Sequence, residues 1–139
     1  MRFWDSSALV PLLLEESQTE AARRIYHADT EILAWWATEI ECTSAIARRG
    51  RLDDRDVEDA LAELAELVRG WRVVEPTEPL KRGAARAVRA YGLTAADAFQ
   101  LAAAVAGTEG DTRSLPFVTL DDRLADAARR EGFRVVVPS

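Results

Sequence analysis

The chain has 139 residues, of which 48% are hydrophobic and 30% charged, and its formal net charge is −6. This length predicts a single domain over residues 1–139, and the balance of apolar and charged residues excludes a disordered chain. The single cysteine cannot form an intramolecular disulfide, which predicts a reducing, cytoplasmic environment. Neither a membrane-spanning run nor a signal-peptide pattern is recognisable, so we expect no membrane association.

Five short apolar segments have the composition of buried parallel strands. They are rich in β-branched and aromatic residues and are mostly uninterrupted rather than alternating with polar residues. In chain order they are Arg2–Asp5, Ile32–Trp36, Trp71–Glu75, Leu115–Leu120 and Phe133–Val137.

Amphipathic segments with helix-start signals lie between these strands. The predicted starts are Ser17, Asp53, Thr77, Thr94 and Asp121, and Ser17 is followed three residues later by Glu20, which is a capping-box pattern. The alternation of strands and helices predicts an α/β fold in which helices cover both faces of a central parallel sheet, in three α/β/α layers.

Four acidic residues lie where a strand ends or a helix begins: Asp5, Glu41, Asp97 and Asp121. In an open parallel sheet such positions meet at one rim, beyond the carboxyl ends of the strands. Carboxylates gathered there repel one another unless a cation compensates them, and oxygen-only ligands suit Mg²⁺ or Mn²⁺ better than zinc. The pattern therefore favours a metal-dependent nuclease site.

Each acid taken alone also fits a capping role. Thr38 with Glu41 and Thr94 with Asp97 match the capping box, and Asp121 is a suitable N-cap for the last helix. Asp5 suits the end of a strand that passes the capping role to Ser6. The four acids together are what capping does not explain.

Four stretches of the sequence resemble PIN-domain ribonucleases of the VapC toxin type. The first is Asp5–Val10, a strand-ending aspartate followed by two serines and an apolar helix, and the second is Glu41–Arg48, an acid with alanine and arginine behind it. The third stretch is Ala96–Ala102, and the fourth is Phe117–Asp121, which continues through Arg123-Leu124-Ala125 to a Gly-Phe turn. The third and fourth stretches are the most specific. The resemblance runs over nearly the whole chain.

The resemblance implies a Mg²⁺- or Mn²⁺-dependent ribonuclease in which Asp5, Glu41, Asp97 and Asp121 are the catalytic metal ligands. Glu39 competes with Glu41, and Asp122 with Asp121, but the family spacing favours Glu41 and the Thr-x-Asp pattern favours Asp121.

Three further residues receive roles by the same reasoning. Ser7 and Thr119 are expected to orient Asp5 or a metal-bound water. Arg48 follows Glu41 by about two helical turns on the same face, and we expect it to contact an RNA phosphate.

The resemblance implies three partners: an RNA substrate, a cognate antitoxin protein and a second copy of the chain in a homodimer. A non-toxin RNA-processing nuclease and a non-catalytic PIN-fold interaction module are the alternatives. A phosphoacceptor receiver domain is disfavoured because Lys81, the only lysine, lies in a predicted helix rather than at the end of the last strand.

Overall fold

The computed structural model describes residues 1–49 and 54–139. The strands within these ranges are β1 (Arg2–Trp4), β2 (Ile32–Trp35), β3 (Arg72–Val74), β4 (Phe117–Val118) and β5 (Val135–Val136). The helices are α1 (Ser6–Leu13), α2 (Thr19–Ala28), α3 (Thr38–Ala47), α4 (Asp54–Arg69), α5 (Glu78–Tyr91), α6 (Ala95–Gly107) and α7 (Asp122–Arg130). A 3₁₀ turn, Thr112–Ser114, precedes β4.

The five strands form one sheet in the order β3-β2-β1-β4-β5, and every pairing is parallel. Strand β1 is central, since Phe3 pairs with Leu33 of β2 on one side and with Phe117 of β4 on the other. All five strands therefore end at the same rim, and Asp5 follows the middle one.

Alternating side chains on the central strands feed two cores, one on each face of the sheet. Phe3 packs with Leu33 and Phe117 in a core that α5, α6 and α7 cover. Its neighbour Trp4 points the opposite way, into a core shared with α1, α3 and α4. This arrangement confirms the predicted three-layer α/β/α architecture with a parallel sheet.

The strands are shorter than predicted, although all five exist. Strand β1 ends at Trp4 because Asp5 already serves as the N-cap of α1. Strand β3 lies at an edge of the sheet and has only three residues, Arg72–Val74, all of which pair with β2. The first two of them are exposed. The apolar runs thus located the strands correctly and overestimated their lengths.

Three of the predicted helix caps are wrong. Helix α1 is capped by Asp5 itself, whose side chain accepts a hydrogen bond from the Ser7 amide, and not by Ser6. Helix α2 begins at Thr19 behind Gln18, without the Ser17 cap, because the Thr19 hydroxyl accepts a hydrogen bond from the Glu16 amide and donates to the Pro11 carbonyl. Helix α3 has Ala37 at its N-cap, so Thr38 makes no cap there.

The remaining helix starts agree with the sequence where they are described. Thr77, Thr94 and Asp121 each accept a hydrogen bond from the backbone amide three residues ahead, as an N-cap does. The predicted start at Asp53 lies outside the described residues. No helix in the described ranges is long and apolar enough to cross a membrane.

Candidate active site

Asp5 is a buried carboxylate, only 3% exposed, at the junction of β1 and α1. The Ser7 hydroxyl donates to Oδ1 of Asp5 over 2.8 Å, and the Ser7 amide approaches Oδ2 at 3.4 Å. Burial raises the pKa of Asp5 to about 7, even though the hydrogen bonds from Ser7 and Thr119 lower it. Without a nearby positive charge, this carboxylate is costly to ionise.

Two hydroxyls connect the ends of β1 and β4 around Asp5. The oxygens of Ser7 and Thr119 are 3.3 Å apart, and the backbone amide of Leu120 donates to the Ser7 oxygen over 2.9 Å. The amide of Asp121 donates to the Thr119 oxygen over 3.0 Å. Both predicted orienting residues therefore contact one another, and Ser7 contacts Asp5 directly.

Glu41 lies on α3, half-buried and facing α6. Oε1 of Glu41 accepts a hydrogen bond from Nε2 of Gln100 over 2.7 Å. Burial raises the pKa of Glu41, while hydrogen bonds from Gln100 and Ser6 lower it and the charge of Asp97 raises it. Glu39 is exposed on the same helix, so the structure brings Glu41, not Glu39, towards the other acids.

Asp97 connects the four acids electrostatically. Burial is the largest cause of its raised pKa, and the charge of Asp121 raises it further. The charge of Asp97 in turn raises the pKa values of Asp5 and Glu41. Asp97 therefore lies within electrostatic range of the other three acids at the carboxyl rim of the sheet.

Asp121 occupies the end of the segment that follows β4 and is partly buried. Its Oδ1 accepts a hydrogen bond from the Leu124 amide over 2.8 Å, which makes it the N-cap of α7. Asp122 is exposed in the first turn of that helix. Of the two rivals, Asp121 is thus the one near Asp97.

Arg48 is exposed at the end of α3. It lines an open cleft of about 410 Å³ together with Ser6, Ile40, Glu41 and Ser44. Arg48 and Glu41 therefore line the same cleft.

Cys42 plays a structural part despite its position next to Glu41. It is completely buried, and burial, followed by the charge of Glu41, raises the pKa of its thiol to about 12. Cys42 is therefore a protonated core residue and not a nucleophile.

The chemistry of these donors fits a hard divalent cation. Four carboxylates supply only oxygen ligands, and burial raises the pKa values of three of them, so a bound cation would favour their ionised forms. Among the described residues, no three Asp, Glu, His or Cys side chains stand close enough to hold a metal ion as they are. Such spacing is expected of carboxylates that repel one another.

Two residues of the site were missed in the sequence. Gln100 contacts Glu41 from α6, and Ser6 does so from α1. Gln100 had a detectable signal, because it is a polar residue at a buried position of an alanine-rich helix. Ser6 had none beyond its place after Asp5.

Comparison with known structures extends over the whole fold. A toxin–antitoxin complex from Klebsiella pneumoniae is 14% identical with a TM-score of 0.72, and the match covers 100% of this chain and 98% of that one. FitAcB from Neisseria gonorrhoeae is 20% identical with a TM-score of 0.71, covering 100% and 97%. VapC20 from Mycobacterium tuberculosis, described as a toxin that cleaves the sarcin–ricin loop, is 19% identical with a TM-score of 0.70, covering 96% of each chain.

At these identities the likeness concerns the fold. No curated protein matches the sequence significantly. The model of the PIN domain family matches residues 2–130, which is nearly the whole chain. The chain therefore belongs to the PIN-domain family.

Proposed function

We propose that this chain is a divalent-metal-dependent ribonuclease that acts as the toxin of a toxin–antitoxin module. The observation that carries the proposal is a set of four acids whose charges interact through Asp97. Asp5 and Asp121 follow β1 and β4, whereas Glu41 and Asp97 lie in the first turns of α3 and α6. Capping accounts for Asp5 and Asp121 but not for Glu41, whose helix has no side-chain cap.

These four carboxylates would hold Mg²⁺ or Mn²⁺. When bound, the cation would supply an activated water and neutralise charge on the scissile phosphodiester. A cation would also favour the ionised forms of Asp5, Glu41 and Asp97, whose pKa values are raised mainly by burial and further by the charge of a neighbouring acid.

Three further side chains have roles in this proposal. Ser7 and Thr119 fix the Asp5 carboxylate by hydrogen bonds, so that one orientation is prepared before the cation arrives. Arg48 contacts an RNA phosphate in the cleft that it shares with Glu41.

The toxin assignment is supported by the fold neighbours. One is a toxin–antitoxin complex and another a toxin named for cleavage of the sarcin–ricin loop. An antitoxin tail that placed an arginine among the acids would satisfy them and block the substrate at once. The resemblance also implies a homodimer, and analytical ultracentrifugation of the purified chain would measure its oligomeric state.

The decisive experiment is cleavage of a mixed RNA pool with Mg²⁺, with Mn²⁺ and with EDTA. The variant Asp97→Asn should lose cleavage and keep its circular dichroism spectrum, because the exchange removes charge with little change in size. Asp126→Asn is the matched control, since Asp126 is an exposed residue paired with Arg130 on α7. Metal-independent cleavage, or an active Asp97→Asn, would contradict the proposal.

The toxin role needs a separate test in cells. Expression of the chain should arrest growth, and Asp5→Ala should abolish the arrest. An active nuclease that is harmless on expression would favour an RNA-processing enzyme. A folded chain that cleaves nothing would favour a non-catalytic interaction module.

A further inference from the structure

Gln100 is a buried amide on a helix that otherwise contributes apolar side chains to the core. Its side chain is 1% exposed, and its neighbours on α6 include Ala98, Leu101 and Ala104, which are all buried. A buried polar group without partners costs about 1–3 kcal/mol, so packing alone favours leucine or methionine at this position. The amide therefore requires another explanation.

Both hydrogen bonds of Gln100 are made by its nitrogen and end on α3. Nε2 donates to the Thr38 hydroxyl over 2.9 Å and to Oε1 of Glu41 over 2.7 Å. Thr38 and Glu41 are three residues apart and thus on one face of that helix. Gln100 follows Asp97 by three residues, so the two lie on one face of α6. That face therefore carries the Asp97 carboxylate and also the amide that hydrogen-bonds to Glu41.

We propose that Gln100 is a positioning residue that fixes the Glu41 carboxylate beside Asp97, so that both acids serve one divalent cation. This inference rests on the proposed function and extends it to a residue outside the set of four acids. Among the described residues Oε1 of Gln100 has no hydrogen-bond partner, so the amide is oriented only through its nitrogen. The hydrogen-bond donor Nε2 is therefore the part of the Gln100 side chain that this position requires.

No other common side chain of this size does the same work. Methionine would fill the space and leave Glu41 without this donor. Glutamate would place a fifth carboxylate against Glu41, whose pKa is already raised by burial and by the charge of Asp97. Only the amide is both neutral and able to donate two hydrogen bonds towards α3.

The test is Mn²⁺ affinity, measured by titration calorimetry on the purified chain. Gln100→Met should weaken Mn²⁺ binding by about 10–100-fold, which is the usual effect of removing a partner of a metal ligand. Thr38→Val is the matched control, because it removes the other acceptor of Gln100 and leaves the bond to Glu41; it should keep the wild-type affinity. In a Glu41→Ala background, Gln100→Met should weaken binding no further.

Folding of each variant is checked by circular dichroism, and Gln100→Asn replaces Gln100→Met if the latter does not fold. The shorter side chain cannot reach Glu41 and should weaken Mn²⁺ binding to a similar degree. Wild-type affinity in the folded variant overturns the role of Gln100 while the proposed function stands. Equal loss in Thr38→Val also overturns it, because the effect would then be general. A wild-type chain that binds no Mn²⁺ overturns both proposals.

Discussion

Ser7 and Thr119 are 112 residues apart in the chain, yet their hydroxyl oxygens lie 3.3 Å apart. The contact joins the start of α1 to the segment that follows β4, directly beside the buried carboxylate of Asp5. The Ser7 hydroxyl donates to Asp5 over 2.8 Å, and the Thr119 oxygen accepts a hydrogen bond from the Asp121 amide over 3.0 Å. The acidic rim is thus held together by hydroxyls that carry no charge.

Removing the Ser7 hydroxyl should harm both stability and activity. Ser7→Ala leaves the Leu120 amide without its acceptor and Asp5 without its shortest donor. We expect a loss of about 1–3 kcal/mol in the free energy of unfolding for the orphaned amide. Under the proposed function, cleavage should fall by about 10–100-fold. Urea unfolding and the RNA cleavage assay measure the two effects.

Thr119 provides the matched comparison for Ser7. Thr119→Ser keeps the hydroxyl and should retain most of the cleavage activity. Thr119→Val removes the acceptor of the Asp121 amide and should lose that activity. Equal activity of Ser7→Ala, Thr119→Val and the wild type would contradict the idea that these hydroxyls orient Asp5.

Asp5 should make the metal-free protein less stable as the pH rises. Its pKa is raised from 3.8 to about 7 in the fold, mainly by burial. Between these two values the unfolded chain has ionised Asp5 and the folded chain keeps the proton, so folding binds a proton. The stabilisation from this group is complete below pH 3.8 and is lost as the pH rises through about 7.

The variant Asp5→Asn isolates this effect, because the amide does not titrate. The difference in unfolding free energy between Asp5→Asn and the wild type should grow in favour of the variant by up to roughly 4 kcal/mol between pH 4 and pH 8 in EDTA. Chemical unfolding across that pH range measures the difference. A constant difference would show that Asp5 has no raised pKa.

Glu41 and Glu39 offer a matched pair on one helix, two residues apart. Glu41 hydrogen-bonds to Gln100 and is close enough to Asp97 for their charges to interact, whereas Glu39 is exposed. We expect Glu41→Gln to abolish RNA cleavage with the fold intact and Glu39→Gln to remain active. The reverse result would identify Glu39 as the second acid and remove Glu41 from the site.

The fold was predictable because its strongest signals are local. Each strand is a short apolar run, and caps such as Thr77 and Thr94 hydrogen-bond only three residues ahead. The misplaced start of α2 has a tertiary origin. The Thr19 hydroxyl donates to the Pro11 carbonyl eight residues back, and this bond competes with the cap that Ser17 and Glu20 would form.

The site was predictable only in part, for a similar reason. The positions of Asp5 and Asp121 follow from the ends of β1 and β4, and parallel strands bring those ends to one rim. Glu41 and Asp97 lie in the first turns of helices, which the helix-start signals located. The pairing of Gln100 with Glu41 joins residues 59 apart and depends on how α6 packs against α3 and the sheet. No local pattern encodes that packing, so the partner of Glu41 emerged only from the structure.

Asp121 allows capping and catalysis to be separated at one position. It caps α7 by accepting the Leu124 amide over 2.8 Å, and it raises the pKa of Asp97 through its charge. Asn is as good an N-cap as Asp, so Asp121→Asn should keep the stability of the wild type and lose cleavage. Asp121→Ala should lose cleavage and also about 1 kcal/mol of unfolding free energy. Asp122→Asn, one residue further and exposed, should remain active. Full activity in Asp121→Asn would reduce Asp121 to a helix cap and leave three acids for the proposed cation.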